Sequence, residues 1–510
     1  MLAVINSLVI SGINAIPVRV EVDIHNGLPA FEVVGLASAS IKEARERVRA
    51  AINNSGYKFP NRKLIVNLSP ADFKKEGSHF DLAIALGILI ASQQLLSKPA
   101  PNMYFAGELS LDGSLRPVLG ILPMCLELLQ SKSDSLFIIS QGNSPEAALV
   151  KEISSLAANS LQEVCAFLEG NSSLSPTNKH SVQASRIVSI PDFADVKGQE
   201  AAKRGMQVAA AGSHNILLIG PPGGGKTMLA RRMPGIMPEM TREEILQTTR
   251  IYSVAGLLNP DHPLVDNRPF RAPHKNASAA SIIGGGRIPR PGEISLAQNG
   301  VLFLDEFPEF NRDVLEALRQ PLEDKVVTIA RAQASHTYPA EFSLIASMNP
   351  CPCGFYGSDQ ECTCTPLQIQ KYLSRISGPL LDRMDLHVEV PRVKFDQLRD
   401  GAQSESSASL KEKVMIAREM QKKRFARHSI NLNSQMRPAD VKRFCKLDNK
   451  SETLLKNAFD KLKMSARAYD RILKVARTIA DMEASKNIQL QHVGETLQYR
   501  SLDRKYWIAY

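Results

Sequence analysis

Alternating hydrophobic and polar residues over 18–24 predict a half-buried β-strand, and the short run 31–34 predicts its partner. A helix is expected next, because Ser40 and Glu43 form a capping box and Gly56 supplies a stop. The pattern therefore predicts a mixed α and β domain over residues 1–168. The other elements expected in it are a strand at 63–68, helices at 81–92 and 122–130, a strand at 135–140 and a helix at 145–158.

Residues 169–189 are rich in Asn, Ser, Pro and Thr and lack periodicity, which is typical of a linker. We predict that an α/β nucleotide-binding core covers 190–400, because its short apolar runs end in polar residues, as where strand ends meet a ligand. Residues 401–510 show only helical periodicity. The expected strands of the core are 215–219, 301–304 and 342–347, and the expected C-terminal helices include 440–444, 451–462 and 467–481.

The composition is that of an ordinary folded protein, with 44% of the 510 residues hydrophobic and 22% charged, which excludes a disordered or collagen-like chain. The net charge is +10, and residues 401–510 hold 23 basic against 12 acidic residues. This segregation predicts either a polyanionic partner or a solvated basic helical face. No apolar run reaches the ~20 residues of a membrane span. Since no basic segment precedes the first apolar residues, we expect a cytoplasmic protein without a membrane partner.

The run 215–219 is followed by a segment that satisfies the P-loop pattern. In such a loop glycines let backbone N–H groups point at phosphate oxygens, Lys226 reaches the β and γ phosphates, and Thr227 ligates Mg²⁺. A plain glycine turn would need neither side chain. The predicted nucleotide-binding residues are Gly220, Pro221, Pro222, Gly223, Gly224, Gly225, Lys226, Thr227 and Met228.

A magnesium–triphosphate site also needs a carboxylate on a neighbouring strand. The apolar run 301–304 ends at Asp305 and Glu306, which is a Walker B pattern. Asp305 is predicted to hold the metal, and Glu306 to act as the general base toward the attacking water. The two motifs together predict hydrolysis of ATP rather than binding alone.

Four of the seven cysteines lie close together in the chain: Cys351, Cys353, Cys362 and Cys364. Four thiolates form a closed tetrahedral shell for a structural Zn²⁺, although pairs spaced C-x-C are less usual than C-x-x-C. Reduced thiols and a redox pair are the alternatives.

Two segments beyond the third expected strand resemble parts of AAA+ ATPases. Asn349 resembles the sensor 1 residue, which bonds the γ-phosphate and the lytic water, although Asn before Pro also marks ordinary turns. The segment 378–385 resembles the arginine-finger segment of the magnesium chelatase and MCM branch. The resemblance implies that Arg383 reaches the site of a neighbouring subunit. A salt bridge from Arg383 to Asp382 or Asp385 is the alternative.

Two further segments resemble nucleotide contacts of these ATPases. Residues 465–471 resemble the sensor 2 helix, which implies that Arg467, or Arg471 one turn later, contacts the γ-phosphate. Residues 192–199 resemble the N-linker that wraps the adenine, which implies base contacts by Val196 and Gly198. A turn followed by a helix start would give the same pattern.

The chain resembles the ComM/YifB family of magnesium chelatase-like AAA+ ATPases. The motifs that carry this resemblance lie at 33–37, 192–199, 271–275, 349–354 and 376–383. It extends over nearly the whole chain, from about residue 2 to 502. The family usually has two histidines after Arg-Ala-Pro, and here the second is Lys275. The resemblance implies an α/β fold with an AAA+ P-loop core and a C-terminal helical lid. It also implies a homohexameric, ATP- and Mg²⁺-dependent motor on single-stranded and branched DNA, a helicase or branch-migration enzyme of recombination during natural transformation.

Two basic loops occupy the positions of pore loops in this branch. One lies at 284–291, and the other, 331–338, is expected at the tip of a hairpin between strands 326–330 and 339–344. Lysine and arginine supply sequence-independent attraction to DNA phosphates, whereas solvated surface residues would look the same in sequence. The predicted DNA contacts are Lys275, Arg287, Arg290 and Arg331.

The N-terminal domain resembles the Lon protease fold, which is like domain 2 of ribosomal protein S5. His79 occupies the position of the nucleophile, and the stretch 120–125 offers no lysine for a serine–lysine dyad. We therefore expect a non-proteolytic domain, which argues against an ATP-dependent protease. A magnesium chelatase- or MoxR-like ATPase that remodels a protein partner is the alternative to the DNA motor.

Overall fold

The computed structural model describes residues 2–38, 41, 43–131, 134–177, 190–286, 289–331, 334–393, 404–462, 464–503 and 506–507. Strands and helices alternate as far as Glu389, and the elements described after residue 404 are all helices. The predicted α/β fold class is confirmed. Of the predicted linker, 178–189 lie outside the described residues, whereas Ser175–Pro176 is a short strand.

An eight-stranded mixed sheet forms the N-terminal part. The helix Asp81–Ala91 is buried over its whole length beneath this sheet, because its sequence is apolar on every side. The strands in spatial order are Ser175–Pro176, Ser154–Ala158, Leu136–Ser140, Met103–Ala106, Ala3–Ser11, Asn14–His25, Lys63–Ser69 and Ala30–Val34. A separate pair joins Glu108–Leu109 to Leu115–Arg116, and the other helices are Ala44–Asn54, Ile121–Ser131, Ser144–Ala147 and Leu161–Leu168.

The predicted helix at 145–158 is wrong. A short helix ends at Ala147, and Ser154–Ala158 is a strand parallel to Leu136–Ser140. Pairing with an available sheet edge outweighs the weak helical pattern of this segment. The capping residue Ser40 lies outside the described residues, and the described helix begins at Ala44.

Five parallel strands form the sheet of the central part. In spatial order they are Phe270–Arg271, Val301–Leu304, Ser343–Met348, Ile216–Ile219 and Leu386–Glu389. The three predicted strands are confirmed within one residue at each end. The middle three strands are buried at every residue, as expected where helices cover both faces of a parallel sheet. The helices of this part are Glu200–Gly212, Lys226–Ile236, Arg242–Ala255, Ala279–Ile283, Glu293–Leu296, Arg312–Ala317, Arg319–Asp324, Pro366–Leu373 and Gly378–Leu381.

Two small hairpins project from this core. One pairs Gly284–Gly285 with Arg290–Pro291, and the other pairs Val326–Arg331 with Ala334–Pro339. The predicted second strand at 339–344 is wrong, because the chain leaves the hairpin at Pro339, which has no N–H for the ladder. Residues 343 and 344 belong to the core sheet instead.

The C-terminal helices pack on one another and against the core. The polar contacts to the core include Arg204 Nε to Glu495 Oε1 at 2.9 Å and His214 Nε2 to Thr478 Oγ1 at 2.8 Å. These helices are Ser407–Phe425, Pro438–Phe444, Asn449–Leu462, Ala466–Met482, Leu490–Gln498 and Ser501–Asp503. Among the described helices, none has the length and hydrophobicity needed to cross a membrane.

Candidate active site

Three neighbouring strands of the parallel sheet end at one edge, and each is followed by residues singled out from the sequence. The P-loop follows Ile216–Ile219, Asp305 and Glu306 follow Val301–Leu304, and Asn349 follows Ser343–Met348. Because parallel strands present their carboxyl ends together, the fold places all three segments side by side.

The P-loop has the backbone shape that only glycine adopts easily. Gly223 and Gly225 have φ values of +77° and +88°, and Gly225 caps the helix Lys226–Ile236. A Cβ at Gly220 would lie 2.0 Å from the carbonyl oxygen of Val390. The loop thereby leads into a helix N-terminus, where free N–H groups and the helix dipole favour an anion.

Lys226 is held over the loop by three acceptors. Its Nζ donates to the carbonyl oxygens of Gly220 and Pro221 at 2.6 and 3.0 Å, and to Asn349 Oδ1 at 3.1 Å. Burial lowers the pKa of Lys226 to about 8, although the charges of Asp305 and Glu306 oppose the shift. The predicted lysine and the predicted sensor 1 asparagine are thus in direct contact.

Asp305 connects the other two segments. Thr227 Oγ1 donates to Asp305 Oδ2 at 2.9 Å, and the Ser347 hydroxyl donates to Asp305 Oδ1. A hydroxyl and a carboxylate side by side are oxygen ligands of the kind that Mg²⁺ prefers. The donor set therefore fits a magnesium ion. Sequence reasoning missed Ser347, which only the adjacency of the strands brings to Asp305.

Glu306 has left-handed backbone geometry, with φ of +53°, which is uncommon for a residue other than glycine. Its N–H donates to Asp305 Oδ1 at 3.1 Å. Its carboxylate accepts from Lys275 Nζ at 2.5 Å, and that hydrogen bond raises the pKa of Lys275. Lys275 was predicted as a DNA contact, and the structure places it against the predicted general base.

The side chain of Arg383 does not contact the P-loop, Asp305 or Asn349 among the described residues. Its guanidinium pairs with Glu323 and donates to the carbonyl oxygens of Arg319 and Pro379 at 3.1 and 2.8 Å. The alternative prediction, a salt bridge from Arg383 to Asp382 or Asp385, is wrong. Arg383 does form a salt bridge, but its acceptor is Glu323.

The two predicted sensor 2 arginines differ in environment. Arg467 is exposed in the first turn of Ala466–Met482. Arg471 is mostly buried, with Nε 3.7 Å from Asp385 Oδ1, and burial lowers its pKa. Within the described part of the chain, no hydrogen bond or ion pair joins either arginine to the P-loop.

The segment 192–199 is attached to the P-loop by a residue that sequence reasoning missed. Gln199 Nε2 donates to the carbonyl oxygen of Gly224 at 3.0 Å and to that of Pro391 at 2.5 Å. Val196 is buried, and Gly198 has φ of +61°. Among the described residues the Gln199 Oε1 atom is buried without a hydrogen-bond partner, so it can accept from a ligand. Met228, by contrast, is half exposed.

A family model described as magnesium chelatase, subunit ChlI, matches residues 192–398, and two related models of ChlI match 20–143 and 404–500. The competence protein ComM of Haemophilus influenzae is 46% identical over 509 residues, which cover 99% of this chain and 98% of ComM. The uncharacterized protein YifB of Escherichia coli is 45% identical over 504 residues, with 99% and 98% covered. The chain belongs to the ComM and YifB family of magnesium chelatase-like proteins.

A more distant relative, the uncharacterized protein Rv2897c of Mycobacterium tuberculosis, is 39% identical over 497 residues, which cover 97% of each chain. The predicted family resemblance is thus confirmed over nearly the full length. For this magnesium chelatase-like AAA+ family, ATP and Mg²⁺ are the expected ligands of the site.

The four clustered cysteines meet in space. Their Sγ atoms lie within 4.8 Å of one another, and Cys351 Sγ is 3.3 Å from Cys353 Sγ and 3.7 Å from Cys362 Sγ. Sulfurs placed about 2.3 Å from a tetrahedral zinc ion would be about 3.8 Å apart. The cluster therefore fits Zn²⁺. Cys364, the fourth member, accepts from the Cys353 N–H at 3.4 Å.

This cysteine loop packs directly on the P-loop. Gly354 has φ of +90°, and a Cβ there would lie 2.5 Å from Pro222 Cδ and 3.9 Å from Asn349 Cγ. The turn after Cys353 thus packs between the P-loop and Asn349, the predicted sensor 1 residue.

The predicted basic loops lie on adjacent hairpins. The Tyr338 hydroxyl donates to the carbonyl oxygen of Pro289 at 2.9 Å, which joins the two hairpins. Arg290 is exposed on the first, and Arg331 is the last residue of the strand before the tip of the second. Arg287 lies outside the described residues.

In the N-terminal part, the Ser78 hydroxyl bonds the carboxylate of Glu108. His79 is buried, and burial lowers its pKa to about 4. Lys75 is also buried, and its Nζ donates to the carbonyl oxygens of Pro70 and Phe73. Lys75 and His79 are thus both enclosed by protein, and a domain without protease chemistry stays a prediction.

We expect Gly354→Ala to weaken nucleotide binding at least tenfold, because the new Cβ must displace Pro222. Gly170→Ala is a matched control, since Gly170 has φ of +78° but no atom within 4 Å of an added Cβ. Both variants incur the cost of a positive φ, about 1 kcal/mol. Titration with a fluorescent ATP analogue checks the difference, and equal affinities in the two variants would contradict the packing role of Gly354.

Proposed function

We propose that the chain is one subunit of a homohexameric ATPase that moves along single-stranded and branched DNA and promotes branch migration during natural transformation. The observation that carries the proposal is the meeting of Lys226, Thr227, Asp305 and Asn349 at one sheet edge. The competence name of a relative covering 99% of this chain supports the biological setting. The excess of basic residues in 401–510 supports a polyanionic partner.

The residues of the site divide the work of hydrolysis between them. The glycine N–H groups and Lys226 would bind the triphosphate, and Thr227 and Asp305 would hold Mg²⁺, which supplies positive charge to the phosphates. Glu306 would accept a proton from the attacking water, and Asn349 would orient that water. Around the adenine we assign Val196, Gly198 and the unpaired Oε1 of Gln199, which suits an amino-group donor.

Assembly into a ring would complete the site. Arg383 is proposed to reach the nucleotide of a neighbouring subunit, with Arg467 contacting the γ-phosphate and Arg471 as the second candidate. Glu323, the partner of Arg383, is 53% exposed, whereas the Arg383 side chain is 12% exposed. Arg383 would therefore have to leave Glu323 to reach a neighbour's phosphate. A finger supplied by a neighbour is a head-to-tail contact, which closes into a ring.

DNA contacts are assigned to the two hairpins and the loop before them, through Lys275, Arg287, Arg290 and Arg331. The two hairpins contact each other, since Ile329 of the second packs against Gly284 of the first, and Ile329 shares a hydrophobic core with Leu304, which precedes Asp305. This core would connect hydrolysis at the sheet edge to the hairpins. The family model named after a magnesium chelatase subunit favours a second candidate function, the remodelling of a protein partner.

Adding single-stranded or forked DNA should raise the ATPase rate several-fold, with an affinity that falls steeply as salt increases. Replacing both Arg290 and Arg331 by Gln should weaken this stimulation. Lys63→Gln, which removes a partly exposed lysine from an ion pair in the N-terminal sheet, should not. Steady-state ATPase assays across a salt series provide the measurement. Absence of stimulation together with absence of salt-sensitive DNA binding would favour the protein-remodelling function.

The affinity for Mg·ATP should fall about tenfold between pH 7 and pH 9. The reason is that Lys226 has a pKa of about 8. Only the charged form of Lys226 attracts the triphosphate, and this form is lost as the pH rises through 8. Lys226→Arg keeps its charge over this range and should show no such fall. Equilibrium titration at the two pH values tests this, and an unchanged affinity of the parent protein would contradict it.

We further propose that Cys351, Cys353, Cys362 and Cys364 hold one structural Zn²⁺ that stiffens the support of the P-loop. Protein purified under reducing conditions without chelators should contain about one zinc per chain. Cys353→Ser should lose the metal, and Cys445→Ser, a buried cysteine remote from the cluster, should retain it. Metal analysis without bound zinc would leave reduced thiols or a redox pair as the explanation.

A further inference from the structure

A cluster of positive charge lies in residues 421–450. This segment holds nine lysines and arginines against two aspartates and no glutamate. Eight of the nine are exposed, and within the described part of the chain only one of the eight is in an ion pair, Lys423 with Glu419 at 3.7 Å. Like charges gathered on one surface repel one another, which favours the binding of an anion there. The exposed cations are Lys422, Lys423, Arg427, Arg437, Lys442, Arg443, Lys446 and Lys450.

A pocket of about 260 Å³ opens among these cations. It lies between the chain that follows the helix Ser407–Phe425 and the start of the helix Pro438–Phe444. Its walls combine a cation with an imidazole, apolar groups and a carboxylate. Pockets that enclose a drug-sized ligand are larger, so a single flat ring suits this one better. The lining residues are His428, Ser429, Ile430, Arg437, Ala439 and Asp440.

Two aromatic rings hold the imidazole of His428 in position. Its ring centre is 6.3 Å from that of Phe425 and 5.4 Å from that of Phe444, and both rings meet it edge-on. The guanidinium of Arg443 lies 5.1 Å from the centre of the Phe444 ring. We call the pocket together with His428, Arg437 and Arg443 the basic patch. A positioned aromatic ring beside guanidinium groups is the combination on which proteins stack a base and bind its phosphates.

The carboxylate of the pocket is already in use as a helix cap. Asp440 Oδ2 accepts from the Arg437 N–H at 3.0 Å, at the first turn of the helix Pro438–Phe444. Its other oxygen can accept from the amino group of a base, as acidic side chains do toward cytosine. A duplex keeps its bases stacked inside, whereas a single strand can present one to a pocket. The pocket therefore favours single-stranded DNA over a duplex.

The basic patch borders one of the two hairpins to which DNA contacts are assigned. Gln435 Nε2 donates to Glu341 Oε1 at 3.4 Å, and Glu341 lies two residues beyond the hairpin strand Ala334–Pro339. Arg437 follows Gln435 by only two residues. The basic patch is thus close in space to the base of the hairpin that carries Arg331.

We propose that the basic patch is a second DNA site, which binds single-stranded DNA with one base in the pocket and neighbouring phosphates on Arg437 and Arg443. This inference rests on the proposed function and adds a site outside the two hairpins. It suits a branched substrate, because more than one strand of such a DNA must be held at the same time.

The test is the affinity of the full chain for a labelled oligodeoxycytidine, measured by fluorescence anisotropy over a salt series with a non-hydrolysable ATP analogue present. Replacing both Arg437 and Arg443 by Gln should weaken binding about tenfold and lower the slope of log affinity against log salt by about 1.4, since each phosphate contact to a single strand contributes about 0.7. Replacing both Lys58 and Lys63 by Gln removes the same charge from the N-terminal part and should change neither quantity.

A second variant tests the pocket without changing the charge. Ala439→Leu places a larger apolar side chain in the pocket, and leucine is a good helix former. It should lower the affinity for oligodeoxycytidine about fivefold or more, as expected for loss of one stacked base, and leave the salt slope unchanged. Its affinity for a duplex of the same length should equal that of the parent protein. The ATPase rate of every variant without DNA should also match the parent, since none of these residues lies at the sheet edge.

Parent-like affinity and salt slope after replacement of both Arg437 and Arg443 would overturn the inference, and so would parent-like affinity of Ala439→Leu for the single strand. If only the replacement of Arg290 and Arg331 weakens DNA binding, the proposed function stands and the second site is wrong. If the parent protein binds no single-stranded DNA, the DNA motor and the second site are both wrong.

Discussion

The carboxylate of Asp305 is the constraint on which the site depends. It accepts hydrogen bonds from Thr227 on one neighbouring segment and from Ser347 on another, so a single group aligns three strand ends. This arrangement requires parallel strands, because antiparallel neighbours would direct consecutive strand ends to opposite edges. The same alignment brings Lys226 into contact with Asn349. Gly354 of the cysteine loop packs against Pro222 of the P-loop.

Another carboxylate, that of Asp385, joins the sheet to the C-terminal helices. Asp385 accepts from the Asn215 N–H at 3.0 Å and lies near His214 and Arg471. Burial raises the pKa of Asp385, but the hydrogen bond and charge of His214 and the charge of Arg471 outweigh burial and hold the pKa below its usual range. Arg383, the proposed arginine finger, is only two residues from Asp385. Any movement of the C-terminal helices relative to the sheet would therefore shift the backbone next to Arg383. This proximity offers a physical route by which the proposed ring contacts would influence the proposed hydrolysis.

Much of this fold could be predicted from sequence where a local pattern determines the result. The strand Val301–Leu304 and the P-loop are of this kind, because buried parallel strands and phosphate-binding turns leave strong local signatures. The strand Ser154–Ala158 could not be predicted, since it forms by pairing with Leu136–Ser140 and not through a pattern of its own. Nor could the pairing of Lys275 with Glu306, which needs the spatial order of the strands. The spatial order of the strands is set by tertiary packing, and no local pattern in the sequence indicates it.

We propose that the shared edge of three strands hydrolyses ATP with Glu306 as the base. Nucleotide affinity and single-turnover hydrolysis can be compared in the parent protein and in Glu306→Gln, which preserves the shape of the side chain and removes its charge. We expect an affinity within about twofold of the parent and a rate lowered by about a hundredfold or more. A Glu306→Gln protein that hydrolyses ATP at a rate near that of the parent would contradict it.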